Sequence, residues 1–444
     1  MCQQCGAAYT AWSGRCDRCG EWNSIVEQLR MSKGSDSFGG STKLEIVKIS
    51  DTSQFDRPRI ATAIKDVDVV LGGGIVAGSI NLLAGQPGIG KSTLLLQLVN
   101  NIANKVPVLY VSGEESVHQV GMRANRLGVK AEMLDLTNSN SADEVADAIR
   151  RGAHQLVVVD SIQTLTCADI SSSAGSVSQV TNSAQLITEA AKKNHTAVIL
   201  VGHVTKEGSI AGPKILEHLV DVVLQIDGDR YGGFKVLRAI KNRYGPTSEA
   251  GIFEMEETGL LPVANPSEAL LAERQISDGS IVLATMEGSR PLLVEVQALV
   301  NKTNYGYPKR AASGIDLNRV NLLIAMLERR TKLELSDKDI YVNIVGGLRV
   351  TEPAADLAVC MAIASAAKGM QLAEDAVVFG EIGLSGEVRR VISMDKRYEE
   401  AVKLGFSGAI GPVMTRLISG KGNYHPVRNI KDALNQFLSK NKTE

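Results

Sequence analysis

The stretch Gly85-Gln86-Pro87-Gly88-Ile89-Gly90-Lys91-Ser92-Thr93 constrains what this chain can fold into more than any other. An apolar run, Ser79–Ala84, leads into it, and a helix-forming run, Leu94–Val99, leads out. The order is strand, glycine-rich loop, helix, with the spacing GxxxxGK[ST]. Glycines let the backbone curl closely around an anion, so that successive N–H groups point at phosphate oxygens. The loop also sits on a helix N-terminus, whose unpaired N–H groups favour negative charge. An ordinary βα turn that happens to contain Gly and Lys rarely has both flanks in place. The reading is therefore a nucleotide cradle spanning Gly85–Thr93, with Lys91 reaching the β- and γ-phosphates and the Ser92 hydroxyl on Mg²⁺. A nucleotide and Mg²⁺ follow as ligands of the loop.

The length of 444 residues predicts two or three domains, and 44% hydrophobic residues is enough to build cores for them. The sequence has no apolar run long enough to span a bilayer and no signal peptide, so the expected location is cytoplasmic, away from membranes. Lys+Arg 48 against Asp+Glu 49 gives a net charge of −1, not the basic total of a dedicated nucleic-acid-binding domain. Contacts to nucleic acid have to come from local patches. Of the six cysteines, four fall within the first nineteen residues, which suggests metal binding in a reducing compartment rather than a disulfide framework.

Those four form two CxxC pairs, Cys2/Cys5 and Cys16/Cys19, each followed by glycine (Gly6, Gly20). Four thiolates suit tetrahedral Zn²⁺ and close its coordination sphere, so a structural site is expected over a catalytic one. Metal would supply the folding energy in so short a segment, and Trp12 and Trp22 are expected to cover the knuckles. Residues 1–29 are read as this ribbon, 30–57 as a polar Gly/Ser-rich linker, 58–267 as an ATPase core and 268–444 as a further domain.

From residue 58 short apolar strands alternate with helices: Ile80–Ala84, Val106–Ser112, Leu156–Asp160, Ala197–Val201, Asp221–Ile226 and Phe234–Ala239. This predicts a parallel α/β sheet with ligands at the carboxyl ends of its strands. Asp160 ends an apolar strand and so fits the Mg²⁺-binding acid that follows a P-loop. Glu114 and Glu115 close another strand. Either could polarise an attacking water, or the stretch could simply cap a helix through Ser112 or Ser116. His203 could contact the γ-phosphate or pack in its loop. The long polar stretches 167–181 and 206–214 read as loops, and Lys206 is a candidate DNA contact. Lys241 and Arg243 alternate at the end of a strand and face one side. They could reach a phosphate on a neighbouring subunit as an arginine finger, or form a solvated strand end.

Taken together, the four-cysteine knuckle, the loop GQPGIGKST and the stretch Lys241-Asn242-Arg243-Tyr244-Gly245 make the chain resemble the bacterial RadA (Sms) DNA-repair ATPases. The approach Leu71–Ser79 and the stretch Ser112–Ser116 match as well, although here Cys2 follows Met1 directly, whereas family members usually carry several residues before the first cysteine. The resemblance implies a RecA-like P-loop ATPase core in a homo-hexameric ring, similar to DnaB-type helicases. It implies DNA-stimulated ATP hydrolysis in recombinational repair of DNA damage, single-stranded and branched DNA as partners, and a strand-exchange recombinase as a protein partner. Carried over by position, Lys91 and Ser92 bind ATP and Mg²⁺, and Asp160 is the metal acid. Lys241 and Arg243 act in trans and couple ATP to DNA movement, and Cys2, Cys5, Cys16 and Cys19 hold zinc.

From about residue 268 the sequence resembles the Lon protease-like α/β domain expected of that family. Strands are expected at Ser280–Met286, Leu292–Leu299 and Ile340–Val345, and helices at Arg319–Arg330 and Pro353–Ala367. Lon proteases use a Ser–Lys dyad. Here Ala354 occupies the serine position, and the lysine position falls near Lys396-Arg397, at Arg397. The expectation is an inactive scaffold. Between Asn301 and Lys332 seven basic residues (Lys302, Lys309, Arg310, Arg319, Arg329, Arg330, Lys332) stand against two acidic ones, Asp316 and Glu328. This patch, Lys309, Arg310 and Arg319 in particular, could attract DNA phosphates. Two other functions compete with the DNA motor: an ATP-dependent protease, opposed by Ala354, and a KaiC-like autokinase scaffold, opposed by the zinc knuckle and KNRYG.

Overall fold

The computed structural model describes residues 13–22, 58–204, 210–211, 215–228, 233–303, 306–372, 375–414 and 423–440. Cys2, Cys5, Trp12, Lys206 and the linker lie outside the described residues. Contacts divide the chain into two units. The first comprises Met1–Asp227, Leu237–Thr247 and Glu256–Leu260, and the second Gly228–Val236, Ser248–Met255 and Leu261–Glu444.

In the first unit the strands are β1 (Ile80–Gly85), β2 (Val108–Ser112), β3 (Leu134–Asn138), β4 (Leu156–Asp160), β5 (Ala197–Val204), the two-residue β6 (Ile210–Ala211), β7 (Val222–Gly228) and, from Leu237 onward, β8 (Phe234–Asn242). The helices are α1 (Lys65–Leu71), α2 (Lys91–Ile102), α3 (Val117–Arg126), α4 (Ala142–Arg150), α5 (Val177–Asn194) and α6 (Ile215–Leu219). The sheet order is β8-β7-β1-β5-β4-β2-β3, with β6 beside β5. The pairs from β7 through β3 are parallel. Strands covered on both faces need continuous apolar runs, which is why Leu156–Val159 and Val108–Val111 are buried throughout.

Register sorts the side chains into two layers, because paired residues of parallel strands point to the same face. Ile80, Leu82, Leu109, Val111, Val157, Val159, Val198 and Leu200 form one core with α4 and α5. On the other face Leu83, Ile199 and Leu224 meet Leu94, Leu95 and Leu98 of α2 and Val67 and Leu71 of α1. The second face ends, at the carboxyl ends of the strands, in polar residues.

Two expectations are corrected here. The stretch 167–181 is helical from Val177 onward, because the Ser176 hydroxyl accepts from the Gln179 N–H at 3.3 Å and caps α5. Strand β8 runs on to Asn242, beyond the expected end at Ala239, so that Lys241 lies within it.

Around the second cysteine pair, Gly20 N–H donates to Cys16 O at 2.7 Å and Cys16 N–H to Glu21 O at 2.9 Å. Gly20 takes a φ of 76°, a left-handed conformation that suits glycine. Cys16 is buried and Cys19 exposed. Trp22 does not cover the knuckle: it is 68% exposed, with the Arg15 guanidinium 5.8 Å from its ring centroid.

The second unit contains β9 (Ala250–Glu256), β10 (Gly259–Pro262), α7 (Pro266–Leu271), β11 (Ser280–Glu287), β12 (Arg290–Lys302), β13 (Arg310–Ser313), α8 (Leu317–Thr331), β14 (Lys338–Ile344), α9 (Asp356–Lys368), β15 (Met370–Leu372), β16 (Ala376–Val378), β17 (Glu381–Ile382), β18 (Val388–Arg389), α10 (Met394–Lys403), β19 (Gly408–Pro412), β20 (Asn423–Val427), α11 (Ile430–Phe437) and β21 (Leu438–Lys440). A seven-stranded mixed sheet runs β13-β14-β12-β11-β16-β19-β20. Helix α9 is apolar on all sides and buried from Asp356 to Ser365, as a central helix must be. It begins after a separate 3-10 turn, Pro353–Ala355, because proline fixes the chain direction there and has no N–H to donate. Among the described residues no helix is long and apolar enough to cross a membrane.

Candidate nucleotide site

The P-loop leaves β1 at Gly85 and closes onto α2 at Lys91. Gly88 and Gly90 adopt φ of 80° and 111°, where a side chain would be strained. A Cβ placed on Gly88 would meet nothing within 4 Å, so that side of the loop is open to solvent. Lys91 is 5% exposed. Its Nζ donates to Gly85 O at 2.9 Å, to Gln86 O at 3.1 Å and to His203 Nδ1 at 3.2 Å. Burial lowers the Lys91 pKa, and the nearby Asp160 and Glu114 carboxylates oppose that shift.

Register explains why His203 meets the loop: β5 pairs with β1 so that His203 lies beside Gly85. An ammonium can only donate, so His203 Nδ1 accepts and the ring proton sits on Nε2. That nitrogen faces Glu114 Oε1 at 3.5 Å. Glu114 Oε1 also accepts from the Ser161 hydroxyl at 2.7 Å. Lys91, His203, Glu114 and Ser161 thus form one polar chain across the carboxyl ends of β1, β5, β2 and β4.

The two glutamates are separated. Glu115 Oε1 pairs with Arg123 Nη2 at 2.5 Å, and its backbone N–H donates to the Ser112 hydroxyl at 3.0 Å. Ser116 caps α3 in a reciprocal box with Gln119. Ser116 alone is thus the helix cap, Ser112 holds the Glu115 backbone, and Glu114 turns toward His203. The backbone can make this turn because Gly113 packs against Thr164, where a Cβ would collide with the threonine hydroxyl.

Asp160 ends β4, and its Oδ2 accepts from the Tyr110 hydroxyl at 2.7 Å. Burial and the Asp160 charge raise the Tyr110 pKa far enough that the phenol keeps its proton. The open glycine cradle, the Ser92 hydroxyl and the Asp160 carboxylate are oxygen and N–H donors of the kind that hold a nucleotide phosphate and Mg²⁺.

Lys241 and Arg243 are elsewhere. Lys241 Nζ donates to Glu217 O at 2.6 Å and to Val220 O at 2.7 Å. Burial, followed by the neighbouring Arg243 charge, lowers its pKa. Arg243 Nη1 donates to Asp221 Oδ1 at 2.9 Å, and Asp221 Oδ2 accepts from Ile80 N–H at 3.1 Å. Both cations lie at the amino end of β1, whereas the P-loop lies at its carboxyl end.

Full-length relatives agree with this architecture. DNA repair protein RadA of Halalkalibacterium halodurans is 48% identical over 418 residues, 93% of this chain and 92% of that protein. DNA repair protein RadA of Escherichia coli strain K12 is 43% identical, covering 98% and 97%, and that of Bacillus subtilis strain 168 is 46% identical, covering 93% and 92%. The chain belongs to the RadA family of DNA repair proteins.

Family models match three parts of the chain. An AAA domain matches residues 45–209, a rubredoxin metal binding domain residues 1–27, and the subunit ChlI of Mg-chelatase residues 310–414. The RadA-family fold is thus a RecA-like α/β core with an N-terminal zinc ribbon and a ChlI/Lon-like C-terminal domain. Membership of an ATPase family implies ATP binding and hydrolysis, and the ribbon match suggests zinc.

In the C-terminal unit Ala354 is buried, and Arg397 is fully buried. Arg397 donates to Glu352 through Nη1 at 2.8 Å and Nη2 at 2.5 Å, and to Ala284 O at 2.5 Å. An ion pair occupies the ground where the resemblance places a dyad. Arg319 is engaged too, forming a bidentate pair with the Asp356 carboxylate at the start of α9. Lys309 Nζ stands 5.9 Å from the Tyr341 ring centroid.

Sequence reasoning missed Tyr110, Ser161, Arg123 and Asp221. Tyr110 left a signal: it is the one aromatic in the strand Val108–Ser112, two residues before Ser112, and so shares a face with it. Asp221 left none, because Ile80 and Arg243, the residues it holds, are distant in sequence.

Proposed function

We propose that this RadA-family chain is a DNA-dependent ATPase of recombinational repair. It works as a hexameric ring that translocates on single-stranded DNA and drives branch migration or processing of recombination intermediates beside a strand-exchange recombinase. The observation that carries this reading is the separation of the two halves of the site. Lys91, Asp160 and Glu114 gather at the carboxyl end of the sheet. Lys241 and Arg243 lie at the amino end of β1, about 17 Å of strand away at ~3.3 Å per residue. Cations so placed cannot serve the phosphates of their own subunit, which supports a site completed by a neighbour.

In this mechanism the cradle Gly85–Thr93 binds the phosphates through backbone N–H groups. Lys91 leaves the Gly85 and Gln86 carbonyls and His203 for the β- and γ-phosphate oxygens. Ser92 and Asp160 would hold Mg²⁺, which would supply charge neutralisation at the transferred phosphoryl. Glu114 orients and deprotonates the attacking water, with Ser161 and His203 fixing its carboxylate. Lys241 and Arg243 of the next subunit stabilise the charge that develops on the transferred phosphoryl and the departing ADP oxygen, and their strand transmits the event to DNA. Cys2, Cys5, Cys16 and Cys19 would hold zinc; the tight Cys16–Gly20 turn and a set of soft thiol donors fit that ion.

The C-terminal unit is read as an inactive scaffold rather than a protease: alanine cannot acylate, and the Arg397 guanidinium is committed to Glu352. The setting is cytoplasmic. The decisive experiment measures ATPase turnover with and without single-stranded DNA, at low and high salt, for the wild type, Lys91→Ala and Lys241→Ala. The reading requires DNA stimulation in the wild type, no turnover in Lys91→Ala and loss of stimulation in Lys241→Ala. Turnover indifferent to DNA at both salts sinks the motor.

A further inference from the structure

Tyr110 is 1% exposed, and its hydroxyl donates to Asp160 Oδ2 at 2.7 Å. Burying a phenol hydroxyl without a partner costs free energy, and phenylalanine would fill the same volume without that cost. The sheet supplies the geometry. Strands β2 and β4 pair in parallel, with Tyr110 beside Val158 and Ser112 beside Asp160. All four side chains share a face, so the long phenol reaches diagonally to the carboxylate one step further along. The nearer neighbour, Ser112, is committed elsewhere: its hydroxyl donates to Glu115 O at 2.8 Å and accepts from Glu115 N–H at 3.0 Å. The Asp160 carboxylate is thus gripped from β2 by the tyrosine.

We propose that Tyr110 is a positioning residue for Asp160. By holding Oδ2 it fixes the rotation of the carboxylate and directs Oδ1 to the nucleotide-bound divalent cation. This rests on the reading of Asp160 as the metal acid. Outer partners that orient a ligand typically contribute about 10- to 100-fold in metal affinity. The effect therefore belongs to the cation and to neither the nucleotide base nor the chemical step.

The test uses the full chain and Tyr110→Phe, which removes one oxygen. A fluorescent ADP is titrated by anisotropy without metal and over a series of Mg²⁺ concentrations, and the Mg²⁺ dependence of ATP turnover is measured in parallel. In Tyr110→Phe the Mg²⁺ concentration for half-maximal tightening of ADP binding is expected to rise about tenfold. Metal-free ADP affinity is expected to stay within about twofold, and turnover at saturating Mg²⁺ within about threefold. An unchanged Mg²⁺ midpoint overturns the proposal. So does an equal loss of metal-free affinity, because the hydroxyl would then be holding the site together in general. Asp160→Asn separates the two layers of the argument. If that variant leaves the Mg²⁺ midpoint of ADP binding unchanged, the assignment of Asp160 fails. If Asp160→Asn shifts it and Tyr110→Phe does not, only the role of Tyr110 fails.

Discussion

Arg243 pairs with Asp221 at 2.9 Å, and Asp221 in turn accepts from the first amide of β1, at the end of that strand opposite the P-loop. The prediction concerns mixtures. Lys91→Ala and Arg243→Ala should each be inactive alone. Mixed before assembly, they should recover a fraction of wild-type turnover, because some interfaces then combine an intact P-loop with an intact Arg243. Turnover that stays at background across all mixing ratios would falsify action in trans.

Glu114 and Glu115 are adjacent in sequence and part company in space. Glu114→Gln should lower turnover by about 10²- to 10⁴-fold, the range for a positioned proton acceptor, with little change in nucleotide affinity. Glu115→Gln breaks a partly exposed pair with Arg123 and should cost no more than about 1 kcal/mol. Steady-state kinetics and thermal melting of both variants check this. Comparable losses of turnover in the two would reverse the assignment.

Arg397 and Glu352 set an acid limit on the C-terminal unit. Burial raises the Glu352 pKa, but Arg397, the Thr285 hydroxyl and the Met286 amide overcome that and leave it below the ordinary glutamate value. A carboxylate depressed in the folded state contributes stability above its unfolded pKa, about 4.3, and loses it as pH falls through the folded value. Arg397→Met should destabilise the unit by about 3–5 kcal/mol by stranding Glu352. The double change Arg397→Met with Glu352→Leu should recover most of that and flatten the loss of stability below pH ~4. Chemical denaturation at several pH values measures both effects.

Arg319 is tied to Asp356, whose pKa burial raises against the opposing pull of that arginine. Arg319→Ala should therefore lower the melting temperature, and weakened DNA binding in that variant would report on folding. Lys309→Ala and Arg310→Ala should melt like the wild type. If their side chains meet phosphates, each should reduce the dependence of DNA affinity on salt by about one unit of slope. Unaltered salt slopes in both would remove this patch from the DNA surface.

Much of the site was legible in one dimension, because its parts obey local rules. A P-loop needs spaced glycines ahead of Lys and Ser at a helix start, so the candidate loop Gly85–Thr93 could be read from nine residues. A buried parallel strand needs an apolar run, so Leu156–Val159 announced that Asp160 stands at a carboxyl end. The 3-10 break before α9 and the helical start at Val177 were less visible, because capping by Ser176 competes with a serine-rich stretch that also reads as loop.

The sequence by itself marked the glycine-rich loop, the carboxylate that ends β4, the knuckle spacing and the order of strands and helices, since these depend on neighbours a few residues apart. Tertiary structure alone decided which glutamate faces His203, that Tyr110 holds Asp160, and that Arg319 and Arg397 are spent on Asp356 and Glu352. Each of these is a contact between residues 37 to 89 positions apart. Strand register and the cost of leaving a buried charge or hydroxyl unpaired select them, and neither has a local signature in the chain.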